Sequence, residues 1–198
     1  MAANITNKLV MIASSTGGPK ALHNLIPTLK PTLDASVVVV QHMPKGFTAS
    51  LAERLNDVSG ICVSEAVDGQ VLEKGHVYLA KGGTHLQLKR DTHRHLFLSE
   101  VDREPVNGLK PCANITIESL AALSIESVIC VVLTGMGADG YKGIKALKER
   151  QSIYTIAQNK ETCVVYGMPK AIVENGMADI VLPLDEIGKE INKKVGVS

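Results

Sequence analysis

At 198 residues with 45% hydrophobic content, the chain can bury a substantial core and is the length of one domain. Its net charge of +1, from 21 Lys and Arg against 20 Asp and Glu, argues against a partner held by bulk charge, whether nucleic acid or an anionic membrane surface. No apolar run reaches the length of a membrane span, and the first eight residues lack the order of a secretory leader, so a cytoplasmic location is expected.

The first predicted element is an apolar run, Leu9-Val10-Met11-Ile12-Ala13, that stops at Ser14-Ser15-Thr16-Gly17-Gly18-Pro19. Leu22, Leu25, Ile26 and Leu29 then recur on one helical face. The pattern predicts a buried strand, a tight turn and a helix, with Pro19 in a first turn where its missing amide costs nothing. Gly17 and Gly18 allow a sharp turn and a close approach to a ligand. Three readings of this turn stand together. Exposed amides at a helix start attract anions. Ala13-Ser14-Ser15-Thr16-Gly17 is a G-x-S-x-G elbow with Ala for the first Gly, which would lift the Ser15 hydroxyl above the sheet and aim the Thr16 amide at a developing oxyanion. An ordinary strand-to-helix turn with serine caps is the third.

Next, Ser36-Val37-Val38-Val39-Val40-Gln41 reads as a strand buried on both faces, as in a parallel sheet. His42 lies just past its end, where ligands of open α/β sheets gather. Phe47, Leu51 and Leu55 predict a helix over 47–55. Short runs at 61–67, 77–80, 86–88 and 96–98, separated by Gly and polar residues, predict a β-hairpin region inserted in or appended to the main sheet. His93 and His95 have the look of a metal pair without an evident third ligand, and His23, His76 and His85 have no evident chemical partner. Residues 101–111 form a loop and 113–123 a helix. Residues 127–133 are another strand buried on both faces, ending in Thr134-Gly135-Met136-Gly137-Ala138-Asp139-Gly140. Asp139 either caps the following helix, 141–150, or orients a histidine. The remainder predicts a strand at 152–158, a helix at 167–174, a strand at 180–182 and a helix at 184–195. The four cysteines form no C-x-x-C pair, so free thiols are expected, with Cys62 and Cys130 as small core residues.

A serine hydroxyl needs a base to take its proton, and the base needs a carboxylate to fix its tautomer. Ser15, His42 and Asp139 each lie at the end of a predicted strand, so all three can share one rim of the sheet.

Ser15-Thr16-Gly17-Gly18, Gln41-His42-Met43-Pro44 with Gly46-Phe47-Thr48, and Thr134-Gly135-Met136-Gly137-Ala138-Asp139-Gly140 together resemble the catalytic domain of CheB, the chemotaxis receptor methylesterase family. Pro105-Val106-Asn107-Gly108, Ala157-Gln158-Asn159 and Val164-Val165-Tyr166-Gly167-Met168-Pro169-Lys170 look like further family segments, and the similarity runs from about residue 8 to 190. The resemblance implies a three-layer α/β/α sandwich on a mainly parallel sheet with an antiparallel hairpin region in the middle of the chain. It implies a serine hydrolase that removes methyl groups from glutamate γ-methyl esters of methyl-accepting chemoreceptors, with deamidation of receptor glutamines as a companion activity. By position it makes Ser15 the nucleophile, His42 the base and Asp139 its orienter, with the Thr16 and Met136 amides as oxyanion-hole candidates. No metal or organic cofactor is implied. The alternative is an inactive relative that docks on receptors or binds an anion. Residues 1–198 are expected to be a single catalytic domain without the receiver domain many family members carry, read either as the catalytic fragment of a longer protein or as a stand-alone esterase with a separate receiver or regulatory protein as a candidate partner. Two departures stand out: Ala13 in place of the first elbow glycine, and Cys112-Ala113-Asn114 where the family usually has Ser-x-Asp, in a loop expected to contact substrate.

Overall fold

The computed structural model describes residues 5–196; residues 1–4, part of the segment read above as no leader, lie outside them. Seven strands form one sheet: β1 (Lys8–Ser14), β2 (Ser36–Gln41), β3 (Cys62–Glu65), β4 (His76–Leu79), β7 (Ser127–Val132), β8 (Tyr154–Gln158) and β9 (Ile180–Leu182). Their spatial order is β3-β4-β2-β1-β7-β8-β9, and every pairing is parallel. The antiparallel pair β5 (His85–Arg90) and β6 (Leu96–Val101) makes a separate hairpin. Among the described residues six α-helices, with two short 3-10 helices (Ile26–Thr28 and Ser119–Ala122), complete the fold: α1 (Gly18–Leu25), α2 (Thr48–Asp57), α3 (Ala113–Glu118), α4 (Tyr141–Lys148), α5 (Met168–Glu174) and α6 (Leu184–Val195).

The continuous apolar runs are explained by burial on both faces. Val10, Ile12, Val37, Val39, Ile129 and Val131 pack beneath α1, α2 and α6, through Leu22, Leu55 and Ile191 among others. Their neighbours Leu9, Met11, Val38, Val40, Val128 and Cys130 face the opposite layer, made by α3, α4, α5 and the hairpin residues Leu86, Leu88, Leu96 and Leu98. Successive side chains of a strand alternate sides, so an unbroken Val/Ile run is what a sheet between two helical layers requires.

The middle of the chain differs from its sequence reading. Only β5 and β6 form a hairpin; β3 and β4 belong to the main sheet and run parallel. The ten residues 66–75 between them exceed a hairpin turn, and Leu72 within them is fully buried, so the connection doubles back as a packed crossover. Cys62 is exposed, not a core residue, because β3 is the outermost strand and Cys62 sits at its start; Cys130 is buried in the central strand β7. Phe47 is 60% exposed: helix α2 begins one residue later, after Gly46 at φ +90°. His76 and His85 do have partners. The His76 ring stacks on Tyr78 and lies 2.8 Å from the Ser64 hydroxyl. His85 is fully buried, with Nε2 3.1 Å from the Glu104 carbonyl. Of the suspected metal pair, His95 turns its Nδ1 to Asp91, 3.1 Å away.

Candidate active site

The chain begins the sheet at its middle strand, builds out to β2, β4 and β3, then crosses back to β7, β8 and β9. Beyond the carboxyl ends of β1 and its two neighbours lies the reversal point of strand order, where open α/β sheets form crevices. Register brings the ends level, with Ser14 opposite Gln41 and Ala13 opposite Val132. Ser15, Thr16, His42, Met136 and Asp139 line one cavity of about 420 Å³ at this edge.

The elbow is shaped by its glycines and by β7. Gly17 has φ +81°, and a Cβ there would lie 2.6 Å from that of Val164, so both conformation and space call for glycine. Ala13 is an ordinary residue of β1, and among the described non-glycine residues only Arg94 and Asn107 have positive φ; the first position of the elbow needs no glycine here. The Ser15 amide donates to the Thr134 carbonyl at 3.0 Å, and the Ser15 carbonyl accepts from Gly18 at 2.8 Å. The Thr16 and Met136 amides have no hydrogen-bond partner among the described residues. Met136 itself is 70% exposed.

Beneath the elbow sits Gln41, a fully buried polar residue at the end of a valine run. Its Oε1 accepts from the Ser14 hydroxyl at 2.7 Å, and its Nε2 donates to the carbonyls of Ser15 and His42, each at 3.0 Å. Gln41 therefore ties the end of β1 to the end of β2 and occupies the Ser14 hydroxyl, while the Ser15 hydroxyl has no partner among the described residues. Sequence reasoning missed this residue. The available signal was a glutamine closing a run in which every other position is apolar, since a buried amide must be hydrogen-bonded.

His42 Nε2 lies 2.7 Å from Asp139 Oδ2. The other ring nitrogen, Nδ1, is buried without a hydrogen-bond partner. Asp139 is buried in a cradle of donors: the Ala113 amide to Oδ2 at 2.6 Å, and the Asn114 amide, the Gly140 amide and the Cys112 thiol to Oδ1 at 2.9, 3.0 and 3.2 Å. Burial pushes the Asp139 carboxyl up, but the His42 contact, the two amides and the thiol outweigh it and hold its pKa below the usual carboxylate value. Burial, aided by the Asp139 charge, pushes the Cys112 thiol up to about 12; it stays protonated and acts as a donor. The 112–114 loop thus turns its thiol and amides toward Asp139, and within it Asn114 also reaches the cavity wall. At the start of α4 the Gly140 amide is shared between Asp139 Oδ1 and Asn114 Oδ1, each at 3.0 Å, and Asn114 Oδ1 alone takes the Gly143 amide of the first turn, at 2.8 Å.

One cavity is thus lined by a carboxylate-supported imidazole, by a serine whose hydroxyl has no partner among the described residues, and by two residues whose amides have none. Comparisons agree with the motifs. The model of the CheB methylesterase family matches residues 10–191. The protein-glutamate methylesterase/protein-glutamine glutaminase 1 of Syntrophomonas wolfei is 46% identical over 188 residues, covering 93% of this chain and 53% of that protein. The corresponding protein of Geobacillus kaustophilus is 45% identical over 195 residues, covering 98% of this chain and 56% of its own. The crystal structure of the Thermotoga maritima CheB methylesterase catalytic domain superposes with a TM-score of 0.92 at 43% identity, covering 96% of this chain and all of that one. The chain spans about half the length of the curated relatives it matches. Family model, relatives and superposed fold agree across nearly the whole chain: it belongs to the CheB methylesterase family.

Proposed function

We propose that this domain hydrolyses glutamate γ-methyl esters on the cytoplasmic part of a methyl-accepting chemoreceptor, with Ser15 as nucleophile, His42 as base and Asp139 as orienter. The observation that carries the reading is the 2.7 Å contact between His42 and Asp139 in the cavity that Ser15 also lines. With Nε2 committed to Asp139, the nitrogen left to serve Ser15 is Nδ1, the atom that is buried and unpartnered.

In the acylation step the Ser15 oxygen bonds to the ester carbonyl carbon as its proton passes to Nδ1. The carbonyl oxygen becomes an oxyanion held by the Thr16 and Met136 amides, with the start of α1 adding a favourable dipole. The tetrahedral intermediate collapses, the carbon–methoxy bond breaks, and the imidazolium returns its proton to the leaving oxygen as methanol. Water then repeats the sequence on the acyl-serine and frees the glutamate carboxylate. A glutamine side chain would follow the same course with ammonia as the leaving group, the companion activity named for the curated relatives. Acid–base assistance of this kind is worth about 10²–10⁴ in rate and one oxyanion donor about 10²–10³.

No helix among the described residues is long and apolar enough to cross a membrane, which suits an enzyme that meets its receptor from the cytoplasm.

The test is methanol release from methylated receptor membranes by Ser15→Ala. Loss of turnover by at least about 10³-fold with an unchanged circular dichroism spectrum is expected, while Ser14→Ala retains most activity. Unimpaired Ser15→Ala would remove Ser15 from the chemistry.

A further inference from the structure

Asn114 stands at the junction of three parts of the site. Its amide donates to Asp139 Oδ1, and its side-chain oxygen receives the Gly140 and Gly143 amides, the first turn of α4. Asp139 Oδ1 accepts from the same Gly140 amide. The Asn114 and Asp139 oxygens thus each lie 3.0 Å from one nitrogen, close enough for a charge on one to be felt by the other.

We propose that Asn114 is a positioning residue: its backbone amide holds Asp139, and its neutral carboxamide holds the adjoining Gly140 and Gly143 amides while leaving the His42–Asp139 pair a single negative charge. A carboxylate at this position would accept the same two amides equally well. It would also stabilise the protonated pair, holding the imidazole in the form that cannot act as a base at mildly acidic pH. The choice of amide over acid therefore keeps a second negative charge away from the pair.

The groups facing the pair are few. Cys112 approaches from the start of α3, and His85 of β5 senses the Asp139 charge. Tyr141 and Lys142 of α4 line the cavity, and Lys110 borders an adjoining hollow beside His42. Asp139 is the sole carboxylate among the cavity's lining residues, so it is the one acidic group of that lining that a second carboxylate at residue 114 would meet, across the shared Gly140 amide.

This inference rests on the triad reading, and its test separates the two. The rate of Ser15 labelling by a fluorophosphonate probe is followed from pH 4.5 to 9 in the wild type, Asn114→Asp and Asn114→Ala. The acid titration of the His42–Asp139 pair is followed in parallel through the His42 ring signals by NMR. Asn114→Asp is expected to move the acid limb of labelling and the NMR titration of the pair upward together by about one pH unit. Its plateau rate is expected to exceed that of Asn114→Ala, because the Gly140 and Gly143 amides keep their acceptor. Asn114→Ala is expected to lower the plateau by about tenfold or more, as the Gly140 and Gly143 amides lose the carboxamide that ties the turn after Asp139 to α3. An Asn114→Asp titration that superposes on wild type in the NMR readout overturns the inference, whatever the labelling shows. An upward shift in NMR with no labelling of wild-type Ser15 upholds the role of Asn114 and discards the hydrolytic reading.

Discussion

Replacing Gln41 by Met tests whether the two strand ends are held together by one buried amide. Met is close in volume and unbranched, so packing within the valine layer is nearly conserved. What is lost is specific: the acceptor of the Ser14 hydroxyl, the one donor to the His42 carbonyl, and one of two donors to the Ser15 carbonyl, which keeps Gly18. A buried polar group left without a partner costs about 1–3 kcal/mol. One buried orphan, the Ser14 hydroxyl, and two carbonyls of half-buried residues therefore predict a destabilisation of about 2–4 kcal/mol by urea unfolding. The double variant Ser14→Ala/Gln41→Met no longer orphans a hydroxyl and should recover about 1–2 kcal/mol of that loss, a coupling that distant sites do not show. Release of the Ser15 and His42 carbonyls also frees the elbow from the end of β2, and a displacement of about 1 Å there predicts a loss of roughly 10² in methanol release. A Gln41→Met protein within about 0.5 kcal/mol of wild type, with no coupling to Ser14, would refute the reasoning.

Two further outcomes follow from buried titratable groups. Burial holds the pKa of His85 below its ordinary value, so the unfolded chain binds its proton at a higher pH than the native one. The stability this neutral ring supports is complete above the unfolded value and is lost as pH falls through the window beneath it; melting temperature should drop between pH 7 and 5, and less steeply in His85→Gln. The thiols give a chemical map: Cys62 is exposed, whereas burial pushes Cys112 and Cys130 each up to about 12. Iodoacetamide at pH 8 with mass spectrometric readout should modify Cys62 first and leave Cys112 and Cys130 unmodified until the protein is denatured. Early loss of the Cys112 peptide would mean that the donor to Asp139 is more open than the structure has it.

The layering was legible because a buried parallel sheet leaves a one-dimensional trace. Val37 to Val40 and Val128 to Val132 are apolar at every position, and only burial on both faces asks for that. Strand partners leave no such trace. The runs that became β3 and β4 are short, and the glycines between them read like hairpin punctuation, yet pairing is decided by the packed crossover at 66–75. Cys62 was misplaced for a related reason: an apolar run does not announce that it lies at the edge of the sheet. That Ser15, His42 and Asp139 line one cavity was legible in part because hydroxyl, imidazole and carboxylate groups interrupt apolar patterns at strand ends. The residues that connect them were not. Gln41 and Asn114 act through hydrogen bonds to amides and carbonyls of other segments, and such partners are fixed only by the fold.

The order in which the three groups occur in the chain follows from the order of the strands. His42 and Asp139 approach from strands on opposite sides of β1, which neighbouring-strand spacing sets about 10 Å apart. The longer excursion falls to the segment after β7, where glycines at 135, 137 and 140 carry the backbone out and back to the cradle of Ala113 and Asn114. A group on the central strand, flanked by one partner on each side, must come first when the chain starts its sheet in the middle. The partner on the side built first must come second. Serine, histidine and aspartate succeed one another here because β1, β2 and β7 do, and any chain that filled the same three positions in another order could assemble the same chemistry.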